Sequence, residues 1–273
     1  MERGRLITLV FLTFSTSVAL EPAHLLAATA AQTEEDIEDA IRIFNRGKLL
    51  HQEHEYRGAI KEYVAAAKLD DQNPFVYNAL GLAYAALRDF GPALKAFNQA
   101  LQLNPDLTDV YNNIGMVYAE QGAKEKAFEA FTRAVRNPAY TTPEKALYNM
   151  GNLYLEDGNL ELAEMHFRRA VEKQPKFALG HRGLARVYLK MNQVDLAVSQ
   201  FQKTVELAPE DAESLFHLAR IHQEKGEVEE ARTLYRRVVE IDRLSTFGQM
   251  ALARLEALKA LEALKALKAL KES

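Results

Sequence analysis

His51 and His54, with Glu53 and Glu55 beside them, form the densest grouping of metal-ligating side chains in the sequence. Three-residue spacing on a helix puts both imidazoles on one face, but a zinc-type site takes three or four protein ligands, and no further ligand stands at a usable spacing. The pair reads as a solvated helix end. His217 and His222 are five apart and point to different sides of a helix. No Gly-x-Ser-x-Gly, His-Glu-x-x-His or phosphate-cradling glycine loop occurs. Paired acids such as Glu229-Glu230 fall at outer helix positions as solvated charge. The chain contains no cysteine, which excludes disulfides, thiolate metal sites, cysteine nucleophiles and a lipid attached through cysteine. The chemistry-bearing residues thus assemble no catalytic, metal or cofactor site, and the chain reads as a non-enzyme.

Composition narrows the remaining classes. The 273 residues are 48% apolar and 26% charged, an ordinary globular balance. With 34 basic and 38 acidic residues the net charge is -4, so no basic excess exists to neutralise a nucleic acid. Arg3 and Arg5 precede the 15-residue apolar run LITLVFLTFSTSVAL, and Ala28-Thr29-Ala30 supplies the small residues of a signal-peptidase site. The run is shorter than the roughly 20 residues that span a bilayer, so it predicts a cleaved export signal over residues 1–30 and a periplasmic location. Cleavage after Ala30 removes two basic and two acidic residues and leaves the charge at -4.

The glycines and alanines follow a fixed rhythm. Gly47, Gly81, Gly115, Gly151, Ala185 and Ala219 are spaced 34, 34, 36, 34 and 34. Twelve residues after each stands an alanine (Ala59, Ala93, Ala127, Ala163, Ala197, Ala231), and sixteen after each an aromatic ring (Tyr63, Phe97, Phe131, Phe167, Phe201, Tyr235). Small side chains at fixed positions let two antiparallel helices approach closely while one ring per unit fills the gap to the neighbour. Gly122-Ala123 and Gly158-Asn159 are turns between helices; Asn104-Pro105, Gln174-Pro175 and Ala208-Pro209 separate units. This pattern resembles the tetratricopeptide repeat, and LYNMGNLYLEDGNLELAEMHFRRAVEKQP, from Leu147, is near its consensus. The resemblance implies an all-α fold: an α-solenoid, a right-handed superhelix of six repeats over residues 40–245, after a linker at 31–39.

In that repeat the second, fifth, ninth, twelfth and thirteenth residues of each unit face the concave side. The resemblance therefore implies a protein-binding groove. In the first four units it is lined by Ile41, Phe44, Phe75, Leu82, Met116, Tyr148 and Leu155, with the amides Asn78, Asn112 and Asn152. In the fifth and sixth it is lined by Arg182, Arg186, Lys190 and Arg220, with Phe216 among them. Such a surface, apolar and amide-lined at one end and basic at the other, fits a peptide or helix with an apolar face and an acidic segment. From Leu252 to Leu270 leucine recurs every third residue. A period of three falls 60° short of a full turn, so this stripe winds around the helix: residues 246–273 read as a cap on the sixth repeat followed by a low-complexity tail.

The two extra residues fall in the link between the third and fourth repeats. Asn137, Pro138, Tyr140, Pro143, Glu144, Ala146, Asn149 and Gly151 resemble the segment at this place in the six-repeat type IV pilus biogenesis proteins, the secretin pilotins. That resemblance implies a scaffold associated with the outer membrane that assists secretin assembly by binding protein segments. The absent lipoprotein cysteine and the leucine-rich tail depart from the family. A general periplasmic repeat adaptor, in polysaccharide export or envelope protein assembly, is the alternative.

Overall fold

A helix interior gains nothing from glycine, yet a glycine stands in the first helix of each of the first four hairpins, and close approach is the reason. The computed structural model describes residues 23–272, and among these all regular structure is helical. The expected export signal lies outside the described residues up to residue 22. Helix α1 runs Ala23–Gln52, so residues 31–39, expected as a linker, continue a helix; the stretch AQTEEDIED holds neither proline nor glycine to stop it. The chain divides after Gln72 into two compact units. The first contains α1 paired with α2 (Tyr56–Leu69), where a Cβ on Gly47 would lie 2.6 Å from the Tyr63 ring.

The second unit is a run of helix hairpins: α3 (Pro74–Ala86) with α4 (Phe90–Leu103), α5 (Asp109–Glu120) with α6 (Lys124–Arg136), α7 (Pro143–Glu156) with α8 (Leu160–Lys173). Then come α9 (Ala178–Lys190) with α10 (Val194–Leu207), α11 (Ala212–Glu224) with α12 (Val228–Ile241), and a closing helix α13 (Thr246–Glu272). A Cβ on Gly81, Gly115 or Gly151 would lie 2.5, 2.5 or 2.7 Å from the rings of Phe97, Phe131 and Phe167 respectively, so each ring occupies the space that a side chain would take. All six alanines of the pattern and all six rings are buried. Each hairpin turn passes through one left-handed residue, at Gly122, Gly158 and Gly226, and at Arg88 and Asn192, where a Cβ makes that conformation costlier. Proline at the start of α3 and α7, and the side chains of Asn73, Asn159 and Asp211 accepting the first free N–H groups, fix where helices begin.

First helices of successive hairpins touch one another (α3 with α5, α5 with α7, α7 with α9), whereas among the described residues no comparable contact joins α4 to α6 or α6 to α8. First helices therefore line the inside of the unit's curve. At the far end, Phe247, Ala251, Leu255 and Leu258 of α13 cover Leu215, Phe216, Ala219, Tyr235 and Val238. Beyond Leu258 the leucine stripe leaves that face as its spacing requires: Glu262 contacts Arg232, while Leu261 and Leu264 are exposed.

Phe167 is buried between Gly151 and Gly183, which belong to successive hairpins. Phe167→Ala is expected to destabilise the protein by about 3–5 kcal/mol through the cavity it leaves. Phe75→Ala, at an exposed ring, should stay within about 0.5 kcal/mol. Urea titration followed by circular dichroism compares the two.

Candidate partner-binding surface

The expected groove residues separate into three environments. Phe44 lies in the first unit, half-buried with its ring 5.6 Å from that of Tyr63; Ile41 beside it is exposed. The other expected groove residues belong to the second unit. There Phe75 (55% exposed), Leu82 (37%) and Met116 (45%) present apolar surface on the inner helices α3 and α5. The expectation fails for Phe216, which is 2% exposed and forms part of the core beneath α13, and for Leu155, which packs with Leu184 and Tyr188. Both fail because the next inner helix covers them, and a position number within the repeat does not say what the next repeat brings.

The amides are a second case. Asn113 Nδ2 donates to Asn78 Oδ1 at 3.0 Å and Asn149 Nδ2 donates to Asn112 Oδ1 at 3.0 Å. Each bond joins the sixth residue of one unit to the fifth of the preceding one, so asparagines expected on the groove surface tie neighbouring inner helices together. Asn112 is buried, and its own Nδ2 contacts Met116 Sδ at 3.7 Å. Asn152 stays half-exposed. The ladder ends where the sixth residue becomes Gly183, lying against Phe167, and then His217, whose ring stacks on Phe201 at 5.1 Å.

The basic end is the third case, and its charge is largely compensated. Arg182 Nη1 donates to Asp211 Oδ2 at 2.6 Å, with Nε 3.5 Å from Glu213 Oε2; Arg186 is 3.5 Å from Glu213 Oε1. Arg220 is 3.5 Å from Glu224, leaving Lys190 exposed at the end of α9. Burial works against the Arg182 charge, but Asp211, Tyr148 and Glu213 outweigh it and hold the guanidinium protonated above its usual range. The acids Asp211 and Glu213, together with Glu120 and Glu156 at the ends of α5 and α7, are what the reading of the groove omitted. The signal for Glu120 and Glu156 was the thirteenth position, which Glu224 shares; Glu213 stands at the second position and Asp211 just before the unit.

Tyr148, expected to line the groove, is half-buried, its ring 5.6 Å from Phe167 and 5.7 Å from Phe177. Two histidines are packed against rings. His166 stacks on Tyr154 at 5.3 Å; His217 lies between Phe201 and the edges of Phe216 and Phe247. Burial, with Arg169 near the first and Arg220 and Arg186 near the second, pushes both down to about 4, against a smaller opposing pull of Asp211 on His217.

The signature link is built into the fold. Helix α6 runs 13 residues where α4, α8, α10 and α12 run 14, the link 137–142 has six residues where 174–177 and 208–211 have four, and α7 runs 14 where α3, α9 and α11 run 13, so the net insertion of two is one residue fewer in α6, two more in the link and one more at the start of α7. Asn137 caps α6, accepting from Ala139 N on its side chain (2.9 Å) and from Tyr140 N on its carbonyl (3.0 Å). Pro138 is exposed, and Pro143 and Glu144 open α7 with Glu144 buried. Tyr140 packs with Phe131, Ala134, Ala146 and Met150, burial driving its hydroxyl up to about 12, while Thr142 donates to Asp109 across the link at 3.3 Å. Among the described residues no group of three or more His, Asp or Glu could hold a metal ion, and no helix is long and apolar enough to cross a membrane.

Comparison with known proteins agrees with this architecture. The tetratricopeptide repeat signature matches residues 74–107 and 144–177, and related signatures of the same repeat match 47–87, 108–138 and 182–245. No curated protein matches the sequence. Among solved structures, PilW, described as a widely conserved type IV pilus biogenesis factor, is 24% identical with a TM-score of 0.65, covering 78% of this chain and 98% of PilW. The Pseudomonas aeruginosa pilF structure is 17% identical with a TM-score of 0.66, covering 81% and 99%. Yeast Tom70 is 20% identical with a TM-score of 0.66, covering 79% of this chain but 46% of Tom70. At these identities the likeness is one of fold.

Asn149→Ala leaves the buried Asn112 carbonyl without its donor and should cost about 1–3 kcal/mol, against about 0.5 or less for Asn152→Ala; urea midpoints check this. An unfolded histidine binds its proton near 6.5 and these two near 4, so the unfolded chain holds more protons in between and stability falls as pH drops from 6.5 toward 4. At pH 4.5, His217→Phe should retain about 2 kcal/mol more of its neutral-pH stability than the parent, read from denaturation at both pH values.

Proposed function

This chain belongs to the tetratricopeptide repeat family, and we propose that it is a non-catalytic periplasmic scaffold in type IV pilus biogenesis, assisting assembly or stability of the secretin at the outer membrane. The carrying observation is the link at residues 137–151. It combines one residue fewer in α6, two more in the link, one more at the start of α7 and a buried Tyr140, in a chain that spans nearly the whole of PilW and pilF but under half of Tom70. Repeats of this kind bind peptides and proteins, and Phe75, Leu82 and Met116 supply exposed apolar surface on the inner helices for that purpose.

Each exposed side chain that a partner covers contributes roughly 25 cal/mol per Å² removed from water, and the amide ladder keeps the inner helices in fixed register while that happens. Because the sequence has no cysteine, association with the outer membrane would not run through a lipid carried by a cysteine. The likeness to Tom70 at the same TM-score is one of repeat architecture, and the second reading takes the pilus likeness the same way: a general periplasmic repeat adaptor in polysaccharide export or envelope protein assembly.

Deleting the gene should reduce heat- and detergent-resistant secretin multimers in outer-membrane fractions and impair piliation. A copy carrying Leu82→Asp and Met116→Asp should restore neither, although it folds. Normal multimers and piliation in the deletion strain would overturn the pilus reading.

A further inference from the structure

Between α5 and α7, above the buried ring of Phe131, lies a cavity of about 260 Å³. Its apolar wall comes from Met116, Ala119 and Leu153, and Glu120 and Glu156 stand at its rim. These two glutamates are the last residues of their helices and hold equivalent places in successive repeats. A helix C-terminus carries the negative end of the peptide dipoles, so two carboxylates and two helix ends of the same sign converge here. Compensation from within the chain is partial. Arg88 reaches Glu120 at 2.9 Å with both side chains about half exposed or more, and Lys124 pairs with Asp157 while feeling Glu156 only as a weaker, more distant charge. Glu156 is exposed and has no ion pair among the described residues. The amide of Asn149 is already committed to Asn112, whereas Asn152 stays half-exposed on the wall.

We infer, resting on the reading of this face as partner-binding, that the cavity receives a lysine or arginine side chain of the bound segment, its aliphatic stem along Met116 and Leu153 and its cationic head between Glu120 and Glu156. A long basic side chain is the residue type with an apolar stem and a charged tip, and that is the order of surfaces from wall to rim. An acidic side chain would meet two carboxylates and two helix C-termini; an apolar one would strip water from the carboxylates without compensation. The partner segment is therefore basic and apolar where it crosses the third and fourth repeats. That is the opposite charge to the acidic segment which Arg182, Arg186 and Arg220 suggest when their partners Asp211 and Glu213 are left out.

The test uses the full chain with 13C-labelled methionine methyl groups, the Met116 resonance being assigned by its loss in Met116→Leu. The probes are n-hexylammonium, n-hexanol and n-hexanoate. Hexylammonium should move the Met116 resonance saturably, hexanol about threefold more weakly, and hexanoate least. Glu156→Gln and, independently, Glu120→Gln should each weaken the hexylammonium response about threefold and leave hexanol unchanged. Equal binding of hexanol and hexylammonium, or no effect of either substitution, overturns the inference. Such a failure is separable from failure of the pilus reading, which is decided by the deletion strain and by Leu82→Asp with Met116→Asp.

Discussion

The contact on which the rest of this structure depends is the seating of an aromatic ring against a helix position with no side chain. Gly81, Gly115 and Gly151 leave room for Phe97, Phe131 and Phe167, and a Cβ at any of them would fall inside the ring's van der Waals surface. That packing sets the distance between the two helices of a hairpin, and the next hairpin then packs on the other side of the same ring. Phe167 shows both halves: Gly151 of its own hairpin lies against it, and so does Gly183 of the following one. Because interiors are packed to crystal-like density, a contact repeated at nearly every step leaves little freedom in how successive units stack.

The sixth position of each unit follows from that stacking. It is the point where an inner helix passes the ring and the inner helix before it, and the sequence uses it in three ways. Asparagine at 113 and 149 spends its amide on the preceding helix; glycine at 183 admits the ring; histidine at 217 stacks on it and, being neutral, brings no charge beside Arg186 and Arg220. The inner face is consequently not an open row of amides. Its hydrogen-bonding groups are partly spent on the solenoid, and what faces solvent between α3 and α7 is apolar surface edged by glutamate.

The link between the third and fourth hairpins shows how an insertion is absorbed without a loose loop. Shortening α6 by one residue, adding two to the link and starting α7 one residue earlier leaves two net residues, and the segment is held by the Asn137 cap, the buried Tyr140 ring and the bond from Thr142 to Asp109. At the opposite end α13 meets the same requirement that any open array faces, a cover for the last hydrophobic face, using four side chains at helical spacing before its leucine stripe turns away.

The sequence by itself determined the repeat, its helical content, the ring and alanine positions that became the core, and the place of the irregular link. These are properties of spacing within one unit, and the 34-residue period states them six times over. Tertiary structure decided what depends on the neighbouring unit. Phe216 and Leu155 have groove positions in the pattern but lie under the helix that follows; Asn112 faces inward to its successor; Arg182 and Arg186 are answered by acids 27 to 31 residues later in the chain. Exposure, hydrogen-bond satisfaction and net local charge are sums over everything within a few ångströms. A repeat position names only one member of each sum.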